Sequence, residues 1–199
     1  MDVVVSAVLI VLLLPVSILV GIAILLFDGG PVLYRQTRVG RGGHLFQLLK
    51  FRSMKSSSAN AESQITHGVS DPRITRPGRY LRRFKLDELP QLVNVLKGDM
   101  SLVGPRPEVP KFILWDDEKQ RQVLQARPGL TDPAILHGHF EEAALLEGQA
   151  NPEEYYARVL VPAKLALNAD YVKNSSTWLD LKILAGTVAR LFGVRPSGQ

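Results

Sequence analysis

The run from Val3 to Phe27, VVVSAVLIVLLLPVSILVGIAILLF, carries no charge over 25 positions, and about 20 apolar residues are enough to cross a bilayer core as a helix. Asp2 precedes the run and Leu26-Phe27-Asp28 closes it. It therefore lacks the basic start, short apolar stretch and small-residue cleavage site of a removable signal. Pro15 lies in the middle, where a missing N–H and a ring clash interrupt the helical ladder. Two topologies are compatible with this: a spanning helix with a tolerated proline, or one that bends at Pro15. Arg35, Arg38 and Arg41 come soon after, and the positive-inside bias sets the rest of the chain on the cytoplasmic side in either case. The chain of 199 residues divides on this reading into a membrane segment, 1–30, and one cytoplasmic domain, 31–199, long enough for a single core.

Lys and Arg number 24 against 19 Asp and Glu, a formal charge of +5 that suits lipid headgroups, phosphates or nucleic acid without choosing among them. The absence of cysteine excludes disulfides and thiolate metal sites. After the turn at Asp28-Gly29-Gly30-Pro31, Val32 to Tyr34 and His44 to Phe51 read as strands. Between them Gln36 to Gly43 is a basic, glycine-rich loop, suited either to an anion cradle or to a plain hairpin turn. Residues 55–70 read as a linker, and Arg79 to Phe84 as a basic helix. Leu89, Leu92, Val93 and Leu96 mark a helix that Gly98 stops. Residues 108–125 resume a helical pattern, with Trp115 a packed aromatic ahead of an acidic face; Leu130 to Leu136 is extended; Glu153 to Val172 and Trp178 to Val194 are helical. The last helix suits either core packing or the membrane surface. The fold class expected is α-rich α+β: a membrane-embedded helix, then a compact domain with short strands and interfacial helices.

Leu86-Asp87-Glu88-Leu89-Pro90-Gln91-Leu92 sets two adjacent carboxylates at a helix start, where Pro90 is tolerated because first-turn N–H groups lack partners. Taken alone, Asp87 is a helix cap and Glu88 a complement to the helix dipole. The neighbours point to chemistry: Arg82 and Arg83 precede the pair, and Gly104-Pro105-Arg106-Pro107 presents a guanidinium on a stiffened backbone. A carboxylate nucleophile acting on a diphosphate must stay ionised while the phosphate charge is neutralised, which cations and a divalent metal accomplish. Glu88 is the natural hard-metal ligand, and Mg2+ needs only one or two carboxylates beside phosphate and water.

On these residues the chain resembles the monotopic phosphoglycosyl transferases, the bacterial sugar transferase family. The resemblance runs through Thr37-Arg38-Val39-Gly40, Lys50-Phe51-Arg52-Ser53-Met54 and Asp71-Pro72-Arg73-Ile74-Thr75. It is most specific at Leu86 to Leu92, Asn94 to Ser101 and Val103 to Pro107, and continues at Arg127-Pro128-Gly129-Leu130-Thr131 and Asp170 to Asn174. It implies a re-entrant N-terminal helix broken at Pro15, at the bacterial inner membrane. It implies a ping-pong reaction in which Asp87 attacks the sugar-bearing phosphate of a UDP-sugar, releases UMP and passes the phosphosugar to polyprenyl (undecaprenyl) phosphate. By the same resemblance Glu88 assists through Mg2+, Arg82 and Arg106 contact phosphates, and Arg38, Lys50 and Arg127 are substrate-binding candidates. Implied partners are the UDP-sugar, polyprenyl phosphate and membrane lipid, with no nucleic acid; a homodimer is compatible.

The chain departs from the family pattern twice. Leu14 stands before Pro15 where a serine is usual, with Ser17 one turn away as a substitute hydroxyl. Asp132 to His139 replaces a Gly-Trp and polar stretch, which removes expected nucleotide or sugar contacts. His137 and His139 read as loop histidines or substrate contacts rather than a metal pair. Two rival functions remain open: a membrane-anchored anion-binding module, and a glycosyl transferase that moves sugar alone and releases UDP.

Overall fold

A computed structural model describes residues 2–55, 65–137 and 142–191. The apolar run forms one helix, α1 (Asp2–Asp28), that continues through Pro15, so the helix break expected there is not present. At 27 residues it is about 40 Å long. Its inward stripe falls at helical spacing. Val5, Leu9 and Leu13 pack on a core containing Leu48, Leu92, Val95 and Met100. Val16, Val20 and Ile24 join Phe51, Leu81, Leu86 and Leu89. Most other side chains of α1 are uncovered, among them Val4, Val11, Leu19 and Leu26. Both ends of the helix are tied to the domain. Ser101 Oγ donates to Asp2 Oδ2 at 2.7 Å, and Arg52 donates to the carbonyls of Gly30 and Asp28. Ser17, weighed as a substitute hydroxyl beside Pro15, makes no side-chain hydrogen bond among the described residues, whereas Ser6 Oγ donates to the Val3 carbonyl at 3.1 Å.

Strands β1 (Leu33–Val39) and β2 (Leu45–Phe51) form an antiparallel hairpin in which Tyr34 faces Lys50 and Arg38 faces Phe46. The first strand runs further than expected, through residues 36–39, and only Gly40 to His44 makes the turn. There the amides of Gly40, Gly42, Gly43 and His44 all donate to carbonyls, Gly42 to that of Leu124 at 2.7 Å. The glycine-rich loop is thus a hairpin turn docked on its neighbour, with those N–H groups engaged, not an anion cradle. On the other edge of β2, buried Asn94 acts as a surrogate strand. It donates to the Gln47 carbonyl at 2.8 Å and accepts from the Leu49 amide at 3.0 Å.

Helix α2 (Arg76–Arg83) is capped by Thr75, whose Oγ1 accepts from the Gly78 amide. Asp71, with its side chain fully enclosed, accepts from the His67 and Arg73 amides and from the Arg73 guanidinium. The motif that the sequence offered here therefore serves as a loop staple. Helix α3 (Gln91–Lys97) ends at Gly98 in the left-handed region, φ 84°, as its sequence dictates.

Strands β3 (Ser101–Val103) and β4 (Gly129–Thr131) pair in parallel. Between them the expected helix over 108–125 is confined to a 3-10 turn, Pro110–Phe112, and α4 (Glu118–Val123), capped by Asp117. Pro110 and the extended Ile113 break the longer pattern. Trp115 is 52% exposed rather than packed, with its ring edge over Gly43. After a 3-10 turn, Pro133–His137, come α5 (Glu142–Leu146), α6 (Pro152–Tyr155), a π-turn at Tyr156–Leu160, α7 (Val161–Asn174) and α8 (Thr177–Leu191). Ile183 of α8 is fully buried, with Leu179 and Leu184 against the same core. Trp178, Leu181 and Val188 stay exposed, so α8 packs on one side and leaves an apolar edge outside. His139, Phe192 and Val194 lie outside the described residues.

Candidate active site

The paired carboxylates lie on a 3-10 turn, Leu86–Glu88, that joins α2 to α3. Lys85 enters it in the left-handed region, φ 55°, unusual for a residue with a Cβ and a small store of backbone strain. Leu86 and Leu89 turn into the cluster on α1, and the side chain between them, Asp87, is 4% exposed. Asp87 does not cap α3: that helix has no side-chain cap, and its N-cap residue is Pro90. Asp87 Oδ1 is buried without a hydrogen-bond partner. An orphaned acceptor is expensive in a folded interior and marks a place where something else is meant to bind. One turn on, buried Gln91 likewise leaves its Nε2 donor unpaired.

Glu88 is gripped by two cations through one oxygen. Lys50 Nζ lies 2.9 Å and Arg106 Nη2 2.6 Å from Glu88 Oε1. Burial alone would raise the Glu88 carboxyl, but Arg106, Lys50 and Lys85 together hold it well below the usual carboxylate range. Glu88 raises Arg106 in turn. Burial lowers Lys50, with Glu88 opposing. The mount of Arg106 comes from a close backbone crossing. The Gly129 amide donates to the Pro105 carbonyl at 2.8 Å and the Gly104 amide to that of Thr131 at 3.1 Å. A Cβ on Gly104 would stand 2.5 Å from the Arg127 carbonyl oxygen. On the far side Arg38 Nη1 donates to the Pro107 carbonyl at 3.0 Å, and the Val39 amide to that of Glu108.

Lys50, Glu88 and Arg106 thus converge beside Asp87, while the other candidate cations make contacts of their own. Arg38 supports the Arg106 segment, with its guanidinium engaged by Gln36, Pro107 and Glu108. Arg82 is half-buried, with Nη1 3.7 Å from Met54 Sδ. Arg127 is exposed and lines a separate cavity of about 250 Å³ with Asp2, Ser101, Tyr171 and Asp180.

A buried group behind Arg106 escaped the sequence reading. Glu108 Oε2 accepts from Tyr156 at 2.8 Å and from Lys164 at 3.0 Å. Lys164 also reaches the Tyr156 hydroxyl and Glu142 Oε1, each at 2.7 Å. Burial would raise the Glu142 carboxyl, but Lys164 and Arg106 bring it down to about 2. Only the position of Glu108, directly after Arg106-Pro107, hinted at this; Lys164 and Tyr156 read as ordinary members of a helical stretch.

Among the described residues no three metal-ligating side chains converge. The donor set still suits a hard cation held chiefly by substrate: Asp87 Oδ1 is bare, and Glu88 meets both cations through Oε1 alone.

Residues 1–194 match the family described as bacterial sugar transferase. The chain is 42% identical over 198 residues to a UDP-glucose:undecaprenyl-phosphate glucose-1-phosphate transferase of Caulobacter vibrioides, covering 96% of this chain and 68% of the relative. It is 35% identical to a UDP-N-acetylgalactosamine-undecaprenyl-phosphate N-acetylgalactosaminephosphotransferase of Aeromonas hydrophila, covering 98% and 44%. It is 40% identical to an undecaprenyl-phosphate galactose phosphotransferase of Salmonella typhimurium, covering 80% and 33%. The chain therefore spans about two thirds of the first relative and less than half of the other two. It belongs to the bacterial sugar transferase family.

Proposed function

We propose that this chain is a phosphoglycosyl transferase that moves a sugar 1-phosphate from a UDP-sugar to undecaprenyl phosphate and releases UMP. The observation that carries the reading is the buried, unpartnered Asp87 oxygen beside a carboxylate gripped by Lys50 and Arg106, in a chain whose relatives are named for this transfer. In the first step an Asp87 oxygen attacks the phosphorus that bears the sugar. The bond from that phosphorus to the bridging oxygen breaks, and UMP leaves with the oxygen and its charge. In the second step a phosphate oxygen of the acceptor attacks the same phosphorus, and Asp87 departs as a carboxylate. Arg106 and Lys50 face the diphosphate as charge accumulates on it. Glu88 would hold a magnesium ion, which when bound would supply further charge neutralisation at the donor phosphates. The relatives act on glucose, galactose and N-acetylgalactosamine, so family membership leaves the sugar open.

The proposed setting is the cytoplasmic face of the inner membrane, with residues 1–30 as the membrane element, 31–199 as the catalytic domain, and α1 embedded in one leaflet without crossing. The ties from Asp2 to Ser101 and from Arg52 to Asp28 support a non-crossing helix, since both ends stay with one domain. The lack of cysteine makes a direct test simple. Single cysteines introduced by Val3→Cys and Arg35→Cys label from the same side of sealed vesicles if α1 is re-entrant, and from opposite sides if it spans.

Activity is tested by following UMP and UDP separately across a panel of UDP-sugars with magnesium and undecaprenyl phosphate. UMP release that disappears in Asp87→Asn, while donor binding persists, is the expected result. UDP release in its place identifies sugar-only transfer and removes the covalent step. Ligand binding with no turnover in the folded wild type identifies an anion-binding module.

A further inference from the structure

We propose that Lys164 is a positioning residue for donor binding: by holding Glu142 it keeps that carboxylate from competing with the donor diphosphate for Arg106. The inference rests on the donor-binding role given to Arg106 above. Arg106 already faces one internal competitor, Glu88, at 2.6 Å. An incoming diphosphate has to displace that contact. Arg106, Glu108 and Lys164 line one cavity, and Lys164 holds two further carboxylates, with Nζ 3.0 Å from Glu108 Oε2 and 2.7 Å from Glu142 Oε1. The Tyr156 hydroxyl completes the seat at 2.7 Å.

The seat is largely closed to solvent, with the Lys164 and Glu108 side chains 11% and 13% exposed. In such surroundings a carboxylate that loses its partner turns to the next cation within reach. For Glu108 that is Arg38, 3.6 Å away. For Glu142 it is Arg106, which lines the same cavity as Lys164 and whose charge already helps to lower that carboxyl. Loss of Lys164 therefore draws Arg106 away from the catalytic turn. The local backbone supports so fixed a geometry, because Tyr156 opens the π-turn that leads into α7, the helix carrying Lys164.

The test is binding of inorganic pyrophosphate, measured by calorimetry on the full chain in neutral-lipid nanodiscs, with UMP release followed alongside. Lys164→Met is expected to weaken pyrophosphate about tenfold, the effect of one displaced charge contact. Adding Glu142→Gln to it is expected to restore binding to within about threefold of wild type, since the competitor is gone. Glu142→Gln alone is expected to bind at least as well as wild type. In turnover the donor KM rises in Lys164→Met by a larger factor than kcat falls, and the acceptor KM does not follow.

Wild-type pyrophosphate affinity in Lys164→Met, or a folded double variant no better than Lys164→Met, overturns the proposal. So does weaker binding in Glu142→Gln alone, which decides the matter even if Lys164→Met fails to fold. A wild type that does not bind pyrophosphate also overturns it. Pyrophosphate binding without UMP release from any UDP-sugar sinks the transferase reading instead, while the variant series still decides the role of Lys164.

Discussion

Replacing Asn94 with leucine should unseat the strand that carries Lys50. The Asn94 carboxamide serves the Gln47 carbonyl at 2.8 Å and the Leu49 amide at 3.0 Å, and its residue is 1% exposed. Leucine has nearly the same shape and leaves no room for a replacing water, so both backbone groups become buried and unpaired. At about 1–3 kcal/mol for each such group, the expected loss is about 4 kcal/mol. For a chain of this size that is about 8–16 °C in Tm. Alanine at the same position opens space for a water that can bond to both groups, so it should be the milder change despite removing more atoms. The assay is thermal unfolding of the full chain in nanodiscs, followed by circular dichroism, with donor KM measured below the transition. KM should rise because Lys50 follows Leu49 on the strand. A leucine variant within about 1 kcal/mol of wild type, or one more stable than alanine, refutes the surrogate-strand account.

Glu88→Gln should change the acid limb of stability. The Glu88 carboxyl is depressed in the fold from its ordinary 4.5, so its contribution is fully present above about 4.5 and lost as pH falls through the folded value. The gap between wild type and variant should therefore narrow on acidification, as read by denaturant unfolding at stepped pH; a gap that widens contradicts the assignment. Gly104→Ala forces a Cβ to 2.5 Å from the Arg127 carbonyl oxygen. It should cost about 2 kcal/mol or more and lower donor affinity by shifting Arg106; unfolding and donor titration check both. Chelation of magnesium should abolish UMP release reversibly while leaving Tm nearly unchanged, since the Glu88 charge already meets Lys50 and Arg106.

Local chemistry fixed what the sequence could reveal. The apolar run, the strand at β2, the stop at Gly98 and the Asp87-Glu88 turn each derive from neighbours in the chain. Long-range pairing hid the rest. Arg38 stood as a substrate-binding candidate by resemblance, and nothing local showed that Pro107 and Glu108, far along the chain, engage its guanidinium. The Gly40 loop had the composition of an anion cradle until the Leu124 carbonyl claimed an amide. Asp87 was legible as a candidate nucleophile from its neighbours, but its burial was not, because that depends on α1 packing against Leu86 and Leu89. Lys164 carried no local signal at all, since what distinguishes it is two carboxylates contributed by other segments.

The packing of α1 bears directly on the two-substrate problem. A polyprenyl acceptor is held in the bilayer by about 0.8 kcal/mol for each buried methylene, so its phosphate stays at the interface. A nucleotide sugar arrives from water. In the proposed reaction a single nucleophile serves both only if it lies at that boundary, and the fold supplies the link through two leucines. Leu86 and Leu89 flank Asp87 and rest on Val20 and Ile24 of α1, whose other side is uncovered apolar surface. At the same end of the helix, Arg52 joins Asp28 to the strand bearing Lys50. The depth at which α1 settles in lipid therefore sets the height of Asp87, Glu88 and Lys50 together. Trimming the α1 surface with Leu19→Ala and Ile22→Ala, both outside the packed stripe, should raise acceptor KM while leaving donor affinity unchanged. Equal losses toward both substrates would mean that α1 supports the fold without setting the height of the site.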